Sequence, residues 1–196
     1  MTLLNRDQCG LLVIDMQTGF YGPKRSDVDR TQFDRVAARI AWLVELAAVI
    51  NVPVVVTEEE SDHNGHTVEQ IRKVLPDDAA TLPKDAFSAW DNDTIASALE
   101  ATGKDTFVLV GIETDVCVAH SALQLQTTGK RVAVVSDATY SPGAAHQAGL
   151  ARLASSPVEL LSAKEVYYDW LRSVTQTVAL RDTHPQLFPP PAGIVL

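Results

Sequence analysis

The sequence predicts a three-layer α/β domain built on a parallel sheet, and three observations carry that prediction. Short runs of apolar, β-branched residues recur along the chain without polar alternation, the pattern of strands buried on both faces. Helical patterns with one apolar face lie between them. Two of those helices stop at a glycine that leads straight into the next strand. With right-handed crossovers this βαβα order gives a Rossmann-like domain, with helices on both sides of the sheet.

In chain order, "CGLLVID" at residues 9–15 reads as the first strand. In "QFDRVAARIAWLVELAAVI", Phe33, Val36, Ala37, Ile40, Leu43, Val44 and Ala47 recur at spacings of three and four, which makes one apolar face for packing on the sheet. "VPVVVT" at 52–57 is the second strand. "LPKDAFSAW", entered through Pro83, reads as a loop. "ALEATG" ends a helix at Gly103 before the strand "TFVLVGI" at 106–112, and "ALQLQTTG" ends another at Gly129 before "VAVVSD" at 132–137. Glycine takes the left-handed helix cap at no steric cost. "VELLS" at 158–162 is the fifth predicted strand, and the chain closes on the proline-rich "HPQLFPPPAGIVL".

A chain of 196 residues with 46% hydrophobic side chains is long enough for one buried core. We assign residues 1–180 to one domain and 181–196 to a tail along the surface or onto a neighbouring subunit. Lys and Arg total 16 against 25 Asp and Glu, a net charge of −9 that repels nucleic acid and anionic membrane surfaces. The start of the chain lacks a basic region followed by a long apolar stretch, and no later segment has the roughly 20 apolar residues needed to cross a bilayer. A cytoplasmic location is expected. The two cysteines, Cys9 and Cys117, lie in different settings and are expected to be reduced.

Ligands of open α/β sheets collect beyond the carboxyl ends of the strands. Asp15 ends the first strand there, Cys117 follows the strand at 106–112, and Lys84 lies in the loop after Pro83. A carboxylate that takes a thiol proton, beside an ammonium that stabilises both anions, is a chemically sensible set for thiolate attack on a carbonyl. Thr114 or Asp115 can cap the helix that begins in "GIETDVCVAH". Cys117 then sits in the first turn, where the helix dipole lowers a thiol pKa and free N–H groups offer an oxyanion hole. Against this stands a small apolar cysteine that merely packs. Spacing alone leaves both readings open. Taken singly, Asp15 reads as a turn cap and Lys84 as a solvated lysine.

"LLVIDMQ" with a following "GF", then "KDAFSAW", "GIETDVCV" and "GKRVAVVSDAT" occur in the order and approximate spacing of the isochorismatase-like cysteine hydrolases. The chain resembles that superfamily over about residues 7–170. The resemblance implies that Asp15 is the general base, Lys84 the cation beside it and Cys117 the nucleophile. It also implies a non-proline cis peptide between Ile112 and Glu113, which aims the Glu113 N–H, together with that of Cys117, at the oxyanion. No cofactor is implied. Isochorismatases that cleave a vinyl ether generally lack this cysteine, so Cys117 argues for covalent acyl transfer to a small amide or related C–N substrate, esters included. Nicotinamidases place a metal-binding Asp-x-His pair after the second strand. Here Glu59 and Ser61 hold those positions. Asp62, His63 and His66 in the polar loop read as solvated rather than as metal ligands. Thr57-Glu58 followed by Thr67-Val68 matches a branch of the superfamily with unassigned substrates.

Phe20, Tyr21, Trp90 and His120 flank the triad segments and are candidates for the substrate pocket, although aromatic residues fill cores more often. Cys9, at the start of its strand, is structural. A nucleotide-binding domain is excluded by the lack of G-x-G-x-x-G after the first strand and of any Walker-type motif. A magnesium-dependent phosphoacceptor needs clustered acids where only Asp15 stands. The remaining rival is a silent binding or scaffold protein of the same fold. Leu187, Phe188, Ile194 and Val195 in the tail predict a homo-oligomer, because a solvated tail would expose them. Family habit points the same way.

Overall fold

The computed structural model describes residues 2–22 and 25–196. Six strands, β1 (Cys9–Ile14), β2 (Val54–Glu59), β3 (Ala80–Lys84), β4 (Thr106–Ile112), β5 (Arg131–Tyr140) and β6 (Glu159–Leu161), form one sheet in the order β3-β2-β1-β4-β5-β6. Every pairing is parallel. The predicted fold class is therefore the observed one. Period-two alternation sorts each central strand between two cores. Leu11, Val13, Val108 and Val110 face the side covered by α1 (Arg30–Val49) and α7 (Ala163–Leu171), whereas Leu12, Ile14, Phe107 and Leu109 face the side of α4 (Asp93–Ala101), α5 (Ala119–Thr127) and α6 (Ala145–Ala154). Both faces are dry, so the strands lack polar alternation.

Strand β3 was not predicted. Pro83 cannot donate to a ladder, and the strand alternates between half-buried and exposed residues up to the buried Lys84. Both features are tolerated because β3 is the sheet edge and pairs only with β2. Lys84 is thus the last residue of a strand, not part of a loop. Gly103 and Gly129 take positive φ, 65° and 85°, as helix terminators should.

Two short helices, α2 (Ser61–Asn64) and α3 (Glu69–Arg72), follow β2, and helix α8 (Val174–Thr183) precedes the proline-rich tail, which turns back on its own chain. The Trp42 indole N–H donates to the Leu187 carbonyl at 3.0 Å, and Leu187 and Ile194 join the α1 core. Phe188 is half-buried beneath Arg181; only Val195 stays exposed. The expectation that these residues await a neighbouring subunit is corrected for all but Val195. The tail gives no argument for assembly. Among the described residues no helix is long and apolar enough to cross a membrane.

Candidate active site

Three strand ends bring the predicted triad together. At the end of β1 the chain turns sharply, with Asp15 in the left-handed region at φ 51°, a conformation costing a non-glycine residue about 1–3 kcal/mol. Its N–H donates to the Thr57 carbonyl, and the Thr57 hydroxyl donates to its Oδ1 at 2.7 Å. Gly111 of β4 makes room for this turn. At φ 127° it lies against Ile14, and a Cβ there would collide with the Ile14 backbone. Beyond β4 the Ile112–Glu113 peptide is cis. Residues Thr114–Val118 then form one π-helical turn before α5, with Cys117 inside it. Gly149 of α6 packs under this turn, where a Cβ would come within 2.7 Å of the Asp115 nitrogen.

Neither Thr114 nor Asp115 caps the turn. Thr114 Oγ1 is 2.9 Å from His146 Nδ1, and the Asp115 carboxylate accepts a hydrogen bond from the Ser141 hydroxyl at 2.6 Å. Both side chains tie the turn to the region after β5.

The Lys84 ammonium is the hub. It lies 3.0 Å from Asp15 Oδ2, 2.8 Å from Glu59 Oε2 and 3.6 Å from Cys117 Sγ, and donates to the Ala86 carbonyl at 2.9 Å. The Lys84 side chain is fully buried and that of Asp15 is 1% exposed. Glu59, in the sequence only a departure from a metal motif, completes the cluster as a fourth member. Its Oε2 accepts the Cys117 thiol at 3.3 Å. Asp15, Glu59 and Cys117 have the donor types and spacing to hold a cation, their ligand atoms all lying within 4.8 Å of one another. The Lys84 ammonium already contacts all three. A metal at this point would compete with it.

Burial first, then two carboxylates against one ammonium, set the titration. Burial pushes the Cys117 thiol well above its usual value and the Asp15 charge pushes it further, outweighing Lys84. The expected depression of this thiol by a helix terminus is therefore corrected: burial first, and then the neighbouring carboxylates, raise it. Asp15 is raised, chiefly by burial, against the pull of Lys84 and Thr57. Burial disfavours the Lys84 cation, yet Asp15, Cys117 and Glu59 together raise its pKa.

Why Glu59 rather than its neighbours faces the lysine is a matter of register. Glu59 and Lys84 are Cα partners across β2 and β3, so their side chains leave the sheet together. Glu58 points the other way, where it accepts the Thr67 N–H at 2.7 Å and hydroxyl at 2.8 Å and lies 2.9 Å from His66 Nδ1. These bonds explain the pairing of Thr57-Glu58 with Thr67-Val68 noted in the sequence. Gln17, wholly buried, accepts the Glu59 N–H at 2.7 Å and donates to the Glu59 and Gly65 carbonyls. It staples the strand end that carries Glu59.

Of the proposed pocket residues, His120 lies half-buried one turn beyond Cys117 and meets Phe87 edge to face at 6.0 Å. Phe87 is 57% exposed and was not singled out from the sequence. Trp90 is half-buried against the core beneath α4 and α5. Phe20 and Tyr21 pack on the opposite core, Tyr21 stacking on Phe33 at 4.5 Å. Glu113 accepts an ion pair from Arg25 at 2.9 Å. A cleft of about 680 Å³ opens beside β3, lined by acids such as Glu60, Asp62 and Asp91 with His63, but not by Cys117 or Asp15. His66 is engaged by Glu58, and among the described residues Asp62, His63 and His66 form no metal-holding group.

An α/β domain that sets a cysteine against a lysine and carboxylates at its strand ends has the layout of a cysteine hydrolase. The isochorismatase domain profile matches residues 9–165, and the chain belongs to that family. It is 29% identical over 188 residues to the probable hydrolase YcaC of Escherichia coli K12, covering 92% of this chain and 88% of YcaC. The crystal structure of the E. coli YcaC gene product, described as an octameric hydrolase of unknown specificity, superposes with TM-score 0.76 at 25% identity over 95% of this chain and 93% of that one. YcaC from Pseudomonas aeruginosa, with hexane-2,5-diol and covalent acrylamide, gives TM-score 0.79 at 25% identity over 95% and 94% of the two chains. The MAR1 ribonuclease of Caenorhabditis elegans shares the fold, with TM-score 0.83 at 22% identity over 100% and 98%. The protein is thus an isochorismatase-family cysteine hydrolase.

Proposed function

We propose that this protein hydrolyses a C–N bond in a small amide or related compound, esters included, through a thioester on Cys117. The contact of the Cys117 sulfur with Lys84, itself ion-paired to buried Asp15, carries the reading. The sulfur attacks the substrate carbonyl while its proton passes to a carboxylate of the cluster, for which the family resemblance names Asp15. Lys84 balances the negative charge that develops. The N–H groups of Glu113 and Cys117 hold the oxyanion, the amine leaves with a proton, and water releases the acid from the thioester. Phe20, Tyr21, Trp90 and His120 form the pocket in this reading, and His120 has the strongest support through its place one turn from the sulfur.

A net charge of −9 supports a small molecule over nucleic acid as substrate. A silent scaffold has no use for a lysine buried at the cost of desolvation beside a thiol. Assembly into a homo-oligomer is supported by the octameric E. coli YcaC. A panel of primary amides, carbamoyl compounds and esters tests the activity. Turnover with an acyl adduct on Cys117, seen by intact mass and absent in Cys117→Ala, is the expected result. Wild-type turnover in Cys117→Ala sinks covalent cysteine catalysis.

A further inference from the structure

We infer that His146 is a positioning residue of this site: from α6 it holds Thr114, the first residue of the π-helical turn, and through that turn sets where the Cys117 sulfur and N–H stand. The inference rests on the cysteine-hydrolase reading above and adds to it a residue outside the strand-end cluster. Two backbone hydrogen bonds close the turn around Cys117, from the Val118 N–H to the Glu113 carbonyl at 3.1 Å and from the Ala119 N–H to the Thr114 carbonyl. Such a turn holds one residue more than an α-helical one and is found mostly at functional sites. No side chain caps its start. Its hold comes from outside, from the segment after β5.

Thr114 is wholly buried, and among the described residues its hydroxyl has one hydrogen-bond partner, His146 Nδ1 at 2.9 Å. Gly149 lies three residues further along α6, so one face of that helix supplies both the histidine and the gap that admits the Asp115 backbone. Burial holds the His146 imidazole below its ordinary pKa against the pull of Asp115, the charged group that faces it. The neutral ring offers Nδ1 as an acceptor for the Thr114 hydroxyl, whereas a protonated ring has only donors. Without that acceptor a buried hydroxyl is left unpaired and must turn to find another partner. Cys117 then moves too, because Thr114 supplies the carbonyl that closes the turn behind it. A displacement of about 1 Å at a reacting atom is enough to cost about a hundredfold in rate.

Acetylation of Cys117 by p-nitrophenyl acetate, followed by intact mass, reads the placement of the sulfur, and thermal unfolding of the same samples corrects each rate to the folded fraction. His146→Leu, which has no acceptor, should slow acetylation by about tenfold or more. His146→Asn, whose Oδ1 stands where the imidazole has Nδ1, should recover most of that loss. Thr114→Val should match His146→Leu, and the double variant should be no slower than the slower single one, as expected of two residues that share one bond. A bond that serves only stability would lower the unfolding midpoint and leave the folded fraction acetylating at the wild-type rate; that result overturns the inference. So does His146→Asn as slow as His146→Leu, or losses that multiply in the double variant. If His146→Leu does not fold, Thr114→Val carries the test with Thr114→Ser as the variant that restores the hydroxyl, and wild-type acetylation in Thr114→Val is equally fatal. Failure of wild-type Cys117 to acetylate at all sinks the cysteine-hydrolase reading instead. Iodoacetamide labelling of Cys117, which needs no hydrolase chemistry, then gives the same comparison of variants and decides the tether separately.

Discussion

Cys9 and Cys117 are the two cysteines of the chain, both free and both buried, and burial raises both thiols. Cys9 opens β1 at the amino end of the sheet, where Thr106 is its neighbour in register and Trp170 its side-chain partner. Cys117 lies beyond the carboxyl end of β4, within reach of an ammonium and two carboxylates. The difference teaches that burial raises either thiol, so a low resting pKa is not what sets Cys117 apart. A proton acceptor and a cation within contact distance do. In the proposed mechanism the Cys117 proton moves only as the sulfur attacks, which couples activation to the arrival of a carbonyl.

Exchanging the fates of the two cysteines gives the largest expected effect. Cys117→Ala should lower turnover by a factor on the order of 10⁴ or more, whereas Cys9→Ala should leave it unchanged. A steady-state assay on any substrate from the panel checks both, and equal losses would erase the contrast. Next in size is the cation. Lys84→Met leaves Asp15 and Glu59 facing each other in a buried site, and removing one partner of a buried pair costs about 3–5 kcal/mol. A lowered urea midpoint should report this, together with iodoacetamide labelling of Cys117 displaced to higher pH, because Lys84 is the neighbour that lowers the thiol. Gly149→Ala probes the floor of the nucleophile turn. Its Cβ meets the Asp115 backbone, which should cost about 1–3 kcal/mol in thermal unfolding and reduce turnover without touching any reacting atom. The smallest effect is expected at Cys9. Cys9→Ala should cost only about 1 kcal/mol, the typical scale of a single substitution, with an unchanged labelling profile at Cys117.

Much of the fold was legible because a sheet covered on both faces writes its strands as continuous apolar runs. The runs at β1, β2, β4, β5 and β6 are visible without coordinates, as are the glycines that end two helices. Asp15 and Cys117 were legible for the same reason, each standing just past such a run. Strand β3 was not, since as an edge strand it carries a proline and alternates in burial, and so resembles a loop in the sequence. Lys84 could be named from the motif but not placed.

Within "TEEES" the sequence shows three consecutive glutamates and no means of ranking them. Pairing with β3 decides. Glu58 goes to Thr67 and His66, Glu59 to Lys84 and the thiol, and Glu60, at φ 41°, turns out of the strand into solvent. The direction of the thiol shift was also beyond the sequence, which supplied a helix terminus but not the burial that chiefly raises the thiol. Residue types and their order in the chain determined that this is a parallel α/β domain with an aspartate, a lysine and a cysteine available at its strand ends. Tertiary structure alone decided which charges meet, because contact between β1, β2, β3 and the turn after β4 depends on register and on side-chain direction, and neither is local to any one segment.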